Sequence, residues 1–173
     1  MKIHKTIIIS LLILSPLIGF GQHKEISVEL NKLELRNDNF NTVLDSLVKH
    51  EKVCNYYSTE LLFTIDIHKT FDNASILIES IDDKNIAFDL DPNGFFYYDK
   101  HLFLVIGDKL NSIFIESQIK KTFEYLEYDI FYKEYDSKER RILRIIHDDS
   151  FSQWEFLYDT ENLILINKST TCE

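Results

Sequence analysis

The chain has 173 residues, 45% of them hydrophobic and 28% charged, with 29 acidic side chains against 19 basic ones and a net charge of −10. That composition suits a packed globular domain and excludes a disordered or low-complexity chain. The acidic balance repels nucleic acid and anionic membrane, so both are set aside as general partners.

In chain order, Met1 to Lys5 brings two lysines and no acid, and Thr6 to Ile18 is nearly all Ile and Leu. Gly19 and Gly21 flank Phe20. This is the three-part pattern of a cleavable signal peptide over residues 1–21. The apolar run is shorter than the ~20 residues a membrane helix needs, and it contains Pro16. Cleavage removes Lys2 and Lys5 but no acid, leaving 17 basic residues against 29 acidic ones, a net of −12. We therefore expect an exported protein of the periplasm, extracellular space or cell envelope, with no membrane span after cleavage.

An oxidising compartment allows the two cysteines, Cys54 and Cys172, to pair. The bond closes a loop of 119 residues, counted from 54 to 172, worth at most ~5 kcal/mol in the chain-entropy model. The alternative is two separate thiols, since Cys172 stands in a terminal tail.

Ile26, Val28 and Leu30 alternate with polar residues and predict a first strand; Leu33 and Leu35 continue it after a phase change at Asn31-Lys32. Asn37, Asp38 and Asn39 offer caps for a helix over about 39–52, with Phe40, Val43, Leu44, Leu47 and Val48 at helical spacing. Tyr56 and Tyr57 begin an extended piece, and Phe63, Ile65 and Ile67 form the apolar face of the next strand. Residues 73–85 favour a helix with Leu77, Ile78 and Ile81 as its stripe, although Ile76-Leu77-Ile78 also suits a buried strand. Asp91-Pro92-Asn93-Gly94 reads as a turn between two short strands. A strand over 101–106 ends at Gly107. Residues 119–135 fit a helix by spacing and strands by aromatic content. Tyr135-Asp136-Ser137-Lys138-Glu139 and Tyr158-Asp159-Thr160-Glu161-Asn162 each precede an aliphatic run, and Tyr98-Asp99-Lys100-His101 is a looser third copy. Each reads as a hairpin whose turn starts at Asp.

Four groups of residues carry a family resemblance over 26–107: Val43-Leu44-Asp45-Ser46-Leu47, Tyr56 to Leu62, Asn73-Ala74-Ser75 with Leu77 and Ile81, and His101 to Ile106. The succession of strand, helix, tyrosine-bearing strand, strand, helix and hairpin resembles the short N-terminal domain of secretins and TonB-dependent receptors. Two departures stand out. Glu51-Lys52-Val53 lacks the family's glycine, and Asp82-Asp83-Lys84-Asn85 replaces a Thr-Gly turn. The resemblance implies a protein-binding module of the bacterial periplasm without catalytic residues; the Tyr-Asp repeats make 108–173 a hairpin-rich extension packed on it.

Motifs for specific chemistry are sparse. Beyond the leader only Gly94 and Gly107 remain, which excludes phosphate-cradling loops. Asp89 to Gly94 matches half of a calcium loop, but Lys100 stands where a bidentate Glu belongs, so a plain turn is expected. No metal or cofactor is expected. His147-Asp148-Asp149-Ser150 could serve a small secreted hydrolase or glycan-acting enzyme through His147 and Asp149, or simply form a polar loop. Arg140, Arg141 and Arg144 concentrate guanidinium forks for an anionic partner, with cross-strand pairing as the structural alternative. Trp154, Phe156 and Tyr158 share a strand face, either core or, with Trp154 foremost, an aromatic binding surface. Asn73-Ala74-Ser75 and Asn167-Lys168-Ser169 match the N-glycosylation pattern, which matters only in a eukaryotic secretory pathway. The reading is an α+β domain with a mostly antiparallel sheet, one firm N-terminal helix, a second over 73–85, and C-terminal β-hairpins. Its expected role is non-enzymatic binding of an envelope protein or surface ligand, with the small hydrolase as rival.

Overall fold

A computed structural model describes residues 24–54, 61–127, 152–159 and 162–170. The elements are β1 (Lys24–Leu35), α1 (Asp38–Cys54), β2 (Leu62–Lys69), β3 (Ala74–Ile81), α2 (Lys84–Asp89), β4 (Gly94–Tyr98), β5 (His101–Gly107), β6 (Phe114–Glu127), β7 (Gln153–Asp159) and β8 (Asn162–Ser169). The strands form one mixed sheet in the order β6-β1-β4-β5-β2-β3-β7-β8. Only β1 with β4 and β2 with β5 run parallel; the other five pairings are antiparallel. This is the α+β architecture the alternating patterns imply.

Alternation along the strands sorts their side chains into two cores. Phe63, Ile65 and Ile67 of β2 join Ile76 and Ile78 of β3 and Phe103 and Val105 of β5. Onto that face α1 lays Phe40, Leu44, Leu47 and Val48, all 3% exposed or less. On the other face, Leu62, Ile81, Phe95 and Leu104 pack with Ala87 and Phe88 of the short α2. Asn37 caps α1, its Oδ1 accepting from the Phe40 amide at 3.0 Å. Tyr98 ties β4 to that helix, donating to Asp45 Oδ1 at 2.6 Å.

Two expectations are corrected. Residues 74–81 form β3 and not a helix, because Ile76 and Ile78 are needed on one sheet face and Ile81 on the other. A helix stripe would bury only one side; a strand paired to both β2 and β7 buries two. Before Asp91 the chain forms α2 and not a strand, so the turn at 91–94 joins helix to strand. The hairpin expected at Tyr98-Asp99-Lys100-His101 is present, with φ angles of 44° and 71° at Asp99 and Lys100 making the two-residue turn that matches strand twist. The open choice over 119–135 resolves as strand through Glu127, where β6 pairs antiparallel with β1 along nearly its whole length; residues 128–135 lie outside the described residues. At the other end, Asp159 pairs with Asn162, and β7–β8 is the expected C-terminal hairpin.

Candidate functional site

An open sheet has two edges, and each edge strand offers unpaired backbone groups to any extended chain. Among the described residues the sheet ends in β6 and β8, and these differ in how they are guarded. Strand β6 carries Glu116, Lys120, Lys121, Glu124 and Glu127 in fourteen residues. Lys120 pairs with Glu29 at 2.7 Å, which raises the Lys120 pKa through that hydrogen bond and charge. Lys121 Nζ lies 5.1 Å from the Tyr97 ring centre and 4.9 Å from that of Phe123. Charges of this density discourage strand addition.

Strand β8 reads Asn-Leu-Ile-Leu-Ile-Asn-Lys-Ser and holds one charge, Lys168. It pairs with β7 on one side, and among the described residues no strand lies beyond it. Leu163 packs against the α1-side core. Ile164, Leu165 and Ile166 stay 53%, 51% and 56% exposed. The pairing shifts between Glu155 and Phe156, so Ile166 is the extra residue of a bulge. Three consecutive half-exposed aliphatic residues on an edge strand form the most apolar exposed strip of the described sheet.

A second apolar feature is Phe71, 99% exposed at the tip of the β2–β3 turn. The turn is held firmly: the Thr70 amide donates to the Asn73 carbonyl at 2.8 Å, and the Asn73 amide to Thr70 Oγ1 at 3.2 Å.

Polar groups are buried elsewhere. Register aligns Thr64, Glu79 and Gln153 across β2, β3 and β7. Thr64 and Glu79 are 0% and 3% exposed, and Gln153 Nε2 donates to Glu79 Oε1 at 2.8 Å. At the end of α1, His50 Nδ1 lies 3.3 Å from Cys54 Sγ and 3.4 Å from Glu51 Oε1. The His50 ring meets Trp154 edge-on at 5.7 Å. No group of three metal-ligating side chains occurs among the described residues.

Of the residues singled out from sequence, Trp154 is corrected: at 3% exposure it belongs to the core under α1 and presents nothing to a partner. Its strand face is turned inward by α1, along with Phe156 and Tyr158. Arg140, Arg141, Arg144, His147, Asp149 and Cys172 lie outside the described residues. Cys54 ends α1 and is not a free thiol; no disulfide closes among the described residues, which hold only this cysteine. The exposed strip of β8 and the tip at Phe71 were not singled out from sequence. The strip's one signal is a run, Leu163 to Ile166, without the charges that punctuate β6. No family model, curated protein or solved structure matches this chain.

Proposed function

We propose that this chain is an exported, non-enzymatic binding module of the bacterial cell envelope that engages a protein partner along β8. The observation that carries the reading is the half-exposed trio Ile164, Leu165 and Ile166 on a strand with one charge. Edge strands recognise extended chain through main-chain hydrogen bonds, while alternate side chains supply selectivity. The succession β1, α1, β2, β3, α2, β4, β5 supports the resemblance to the short N-terminal domain of secretins and TonB-dependent receptors. Its second helix sits at Lys84–Asp89, not at Leu77 and Ile81.

The same reading joins Cys54 to Cys172. Cys54 is not free, and the chain holds one other cysteine. Trp154 pairs with Lys168 and touches His50, one helical turn before Cys54. Lys168, four residues before Cys172, therefore lies near the end of α1. Intact-mass analysis without reductant is expected to show the bond and a chain beginning at Gln22.

The test of the binding role is site-specific photo-cross-linking in the native envelope. A benzophenone side chain at position 164 is expected to give a discrete protein adduct that Ile166→Lys abolishes. An identical adduct from position 119 on β6, or none from 164, overturns the assignment of β8.

A further inference from the structure

We infer that Cys54 is a thiol-exchange site, its disulfide opened by an external dithiol with Cys54 leaving as a thiolate that His50 and Glu51 stabilise. This rests on the reading that joins Cys54 to Cys172 and says what that bond can do.

Three functional groups meet at the end of α1. The two ring nitrogens of His50 lie 3.3 and 3.6 Å from Cys54 Sγ. The nearer one, Nδ1, is also 3.4 Å from Glu51 Oε1. His50 and Cys54 stand one helical turn apart, so the ring and the sulfur share a side of the helix. Glu51 is buried at 2% exposure, and Trp154 meets the ring edge-on. His50 is 23% exposed and Cys54 only half-buried, so neither is sealed from a small thiol in water.

A bond that only staples two segments needs no imidazole against its sulfur. Exchange does, because the sulfur that departs most readily is the one whose thiolate is best stabilised. Cys54 is the last residue of α1, and the carbonyl end of a helix disfavours a bare thiolate. An imidazolium at 3.3 Å reverses that balance, and the buried Glu51 carboxylate keeps the imidazolium charged and oriented. Sulfur, imidazole and carboxylate are the groups that activate a thiol in covalent catalysis; here the incoming reagent is another thiol. Two further cations stand nearby. Lys52 is engaged by Asp99, and Lys168 of β8 lies opposite Trp154 in register and adds positive charge on that side.

The step balances with a dithiol as reductant. One of its thiolates attacks Cys172 Sγ, a new S–S bond forms there, and the old bond breaks with its electron pair on Cys54 Sγ. The second thiolate then closes the dithiol's own disulfide and releases Cys172. The dithiol gives up two electrons and two protons; the cysteines take both, the proton for Cys54 being held at His50.

The experiment is reduction of the protein by dithiothreitol at neutral pH, stopped with iodoacetamide and followed by intact mass. His50→Gln and the isosteric Glu51→Gln are expected to open about three- to tenfold more slowly than wild type. Their equilibrium with dithiothreitol should shift at least about threefold toward the disulfide, with circular dichroism and tryptophan emission unchanged. His68→Gln should behave as wild type. The reduced protein should absorb as a thiolate near neutral pH, and His50→Gln should lose that absorbance. With the monothiol mercaptoethanol, the mixed disulfide should form on Cys172 and leave Cys54 to be alkylated, as peptide masses will show. Equal rates in all variants, or a mixed disulfide on Cys54, overturn the inference while the bond itself stands. If the unreduced protein shows no Cys54–Cys172 bond, the pairing fails and the exchange site fails with it.

Discussion

Replacing Trp154 by Ala separates a core residue from a binding residue. The indole is 3% exposed, packed with Phe156 and Tyr158 beneath α1 and edge-on to His50. A tryptophan buries up to about 250 Å², and at about 25 cal/mol per Å² its removal costs at most ~6 kcal/mol. Large aromatic deletions in packed cores cost about 3–5 kcal/mol, because the cavity collapses only in part. We expect a loss in that range, against a total stability of about 5–15 kcal/mol for a domain of this kind. Trp154→Phe keeps an aromatic ring against His50 and should cost about half as much. Urea unfolding followed by circular dichroism measures both. The wild-type fluorescence adds a check: Trp154 is the only tryptophan, so emission should be blue-shifted when folded and move red on unfolding. A loss below about 1 kcal/mol would refute the burial argument and return Trp154 to the surface.

Gly107 has φ of 75°, and a Cβ there would stand 2.4 Å from the Ile67 carbonyl oxygen. Gly107→Ala should cost ~3 kcal/mol or more in thermal or urea unfolding, from left-handed strain plus a backbone clash. Gly94→Ala meets only the Leu33 side chain, at 2.7 Å, and should cost less, about 1–2 kcal/mol. Burial, then the hydrogen bond to Asp45 and that carboxylate's charge, push the Tyr98 pKa up to about 12. With the folded value raised, the stabilisation is whole below the ordinary pKa near 10 and is lost as pH climbs through about 12. Tyr98→Phe should lower stability by about 1 kcal/mol at neutral pH and flatten the alkaline decline, read by denaturation and phenolate absorbance. Lys52 pairs with Asp99 in the open, both half-exposed, and holds the Asp99 carboxyl below its usual range. Lys52→Ala should leave the urea unfolding midpoint unchanged within error, because solvent screens an exposed pair.

How far the sequence carries depends on whether one burial pattern excludes the other. Helix α1 was legible because Phe40, Val43, Leu44, Leu47 and Val48 leave the intervening residues polar, and Asn37 supplies the cap. Strand β3 was not: Leu77, Ile78 and Ile81 satisfy helical spacing and also a strand buried on both faces, and only its pairing with β2 and β7 decides. In β6, Ile119, Phe123 and Leu126 mimic a helix stripe, yet Ile119 and Leu126 are 57% and 41% exposed, and the strand is held by its long pairing with β1. The turn at Asp159 was readable from local chemistry. The exposure of Ile164 to Ile166 was not, since strand order in a sheet is a property of the whole chain. An aliphatic run looks alike at the centre of a sheet and at its rim.

Amide hydrogen exchange along β8 is the most direct measurement of the account. The protein at low concentration should exchange rapidly at the outward-facing amides of Asn162 to Asn167, while the inner strands β2 and β5 stay protected. With the partner strand seated, those β8 amides should slow markedly and β6 should not change. Protection that grows on β6 or at the Phe71 turn, with β8 unaltered, would contradict it.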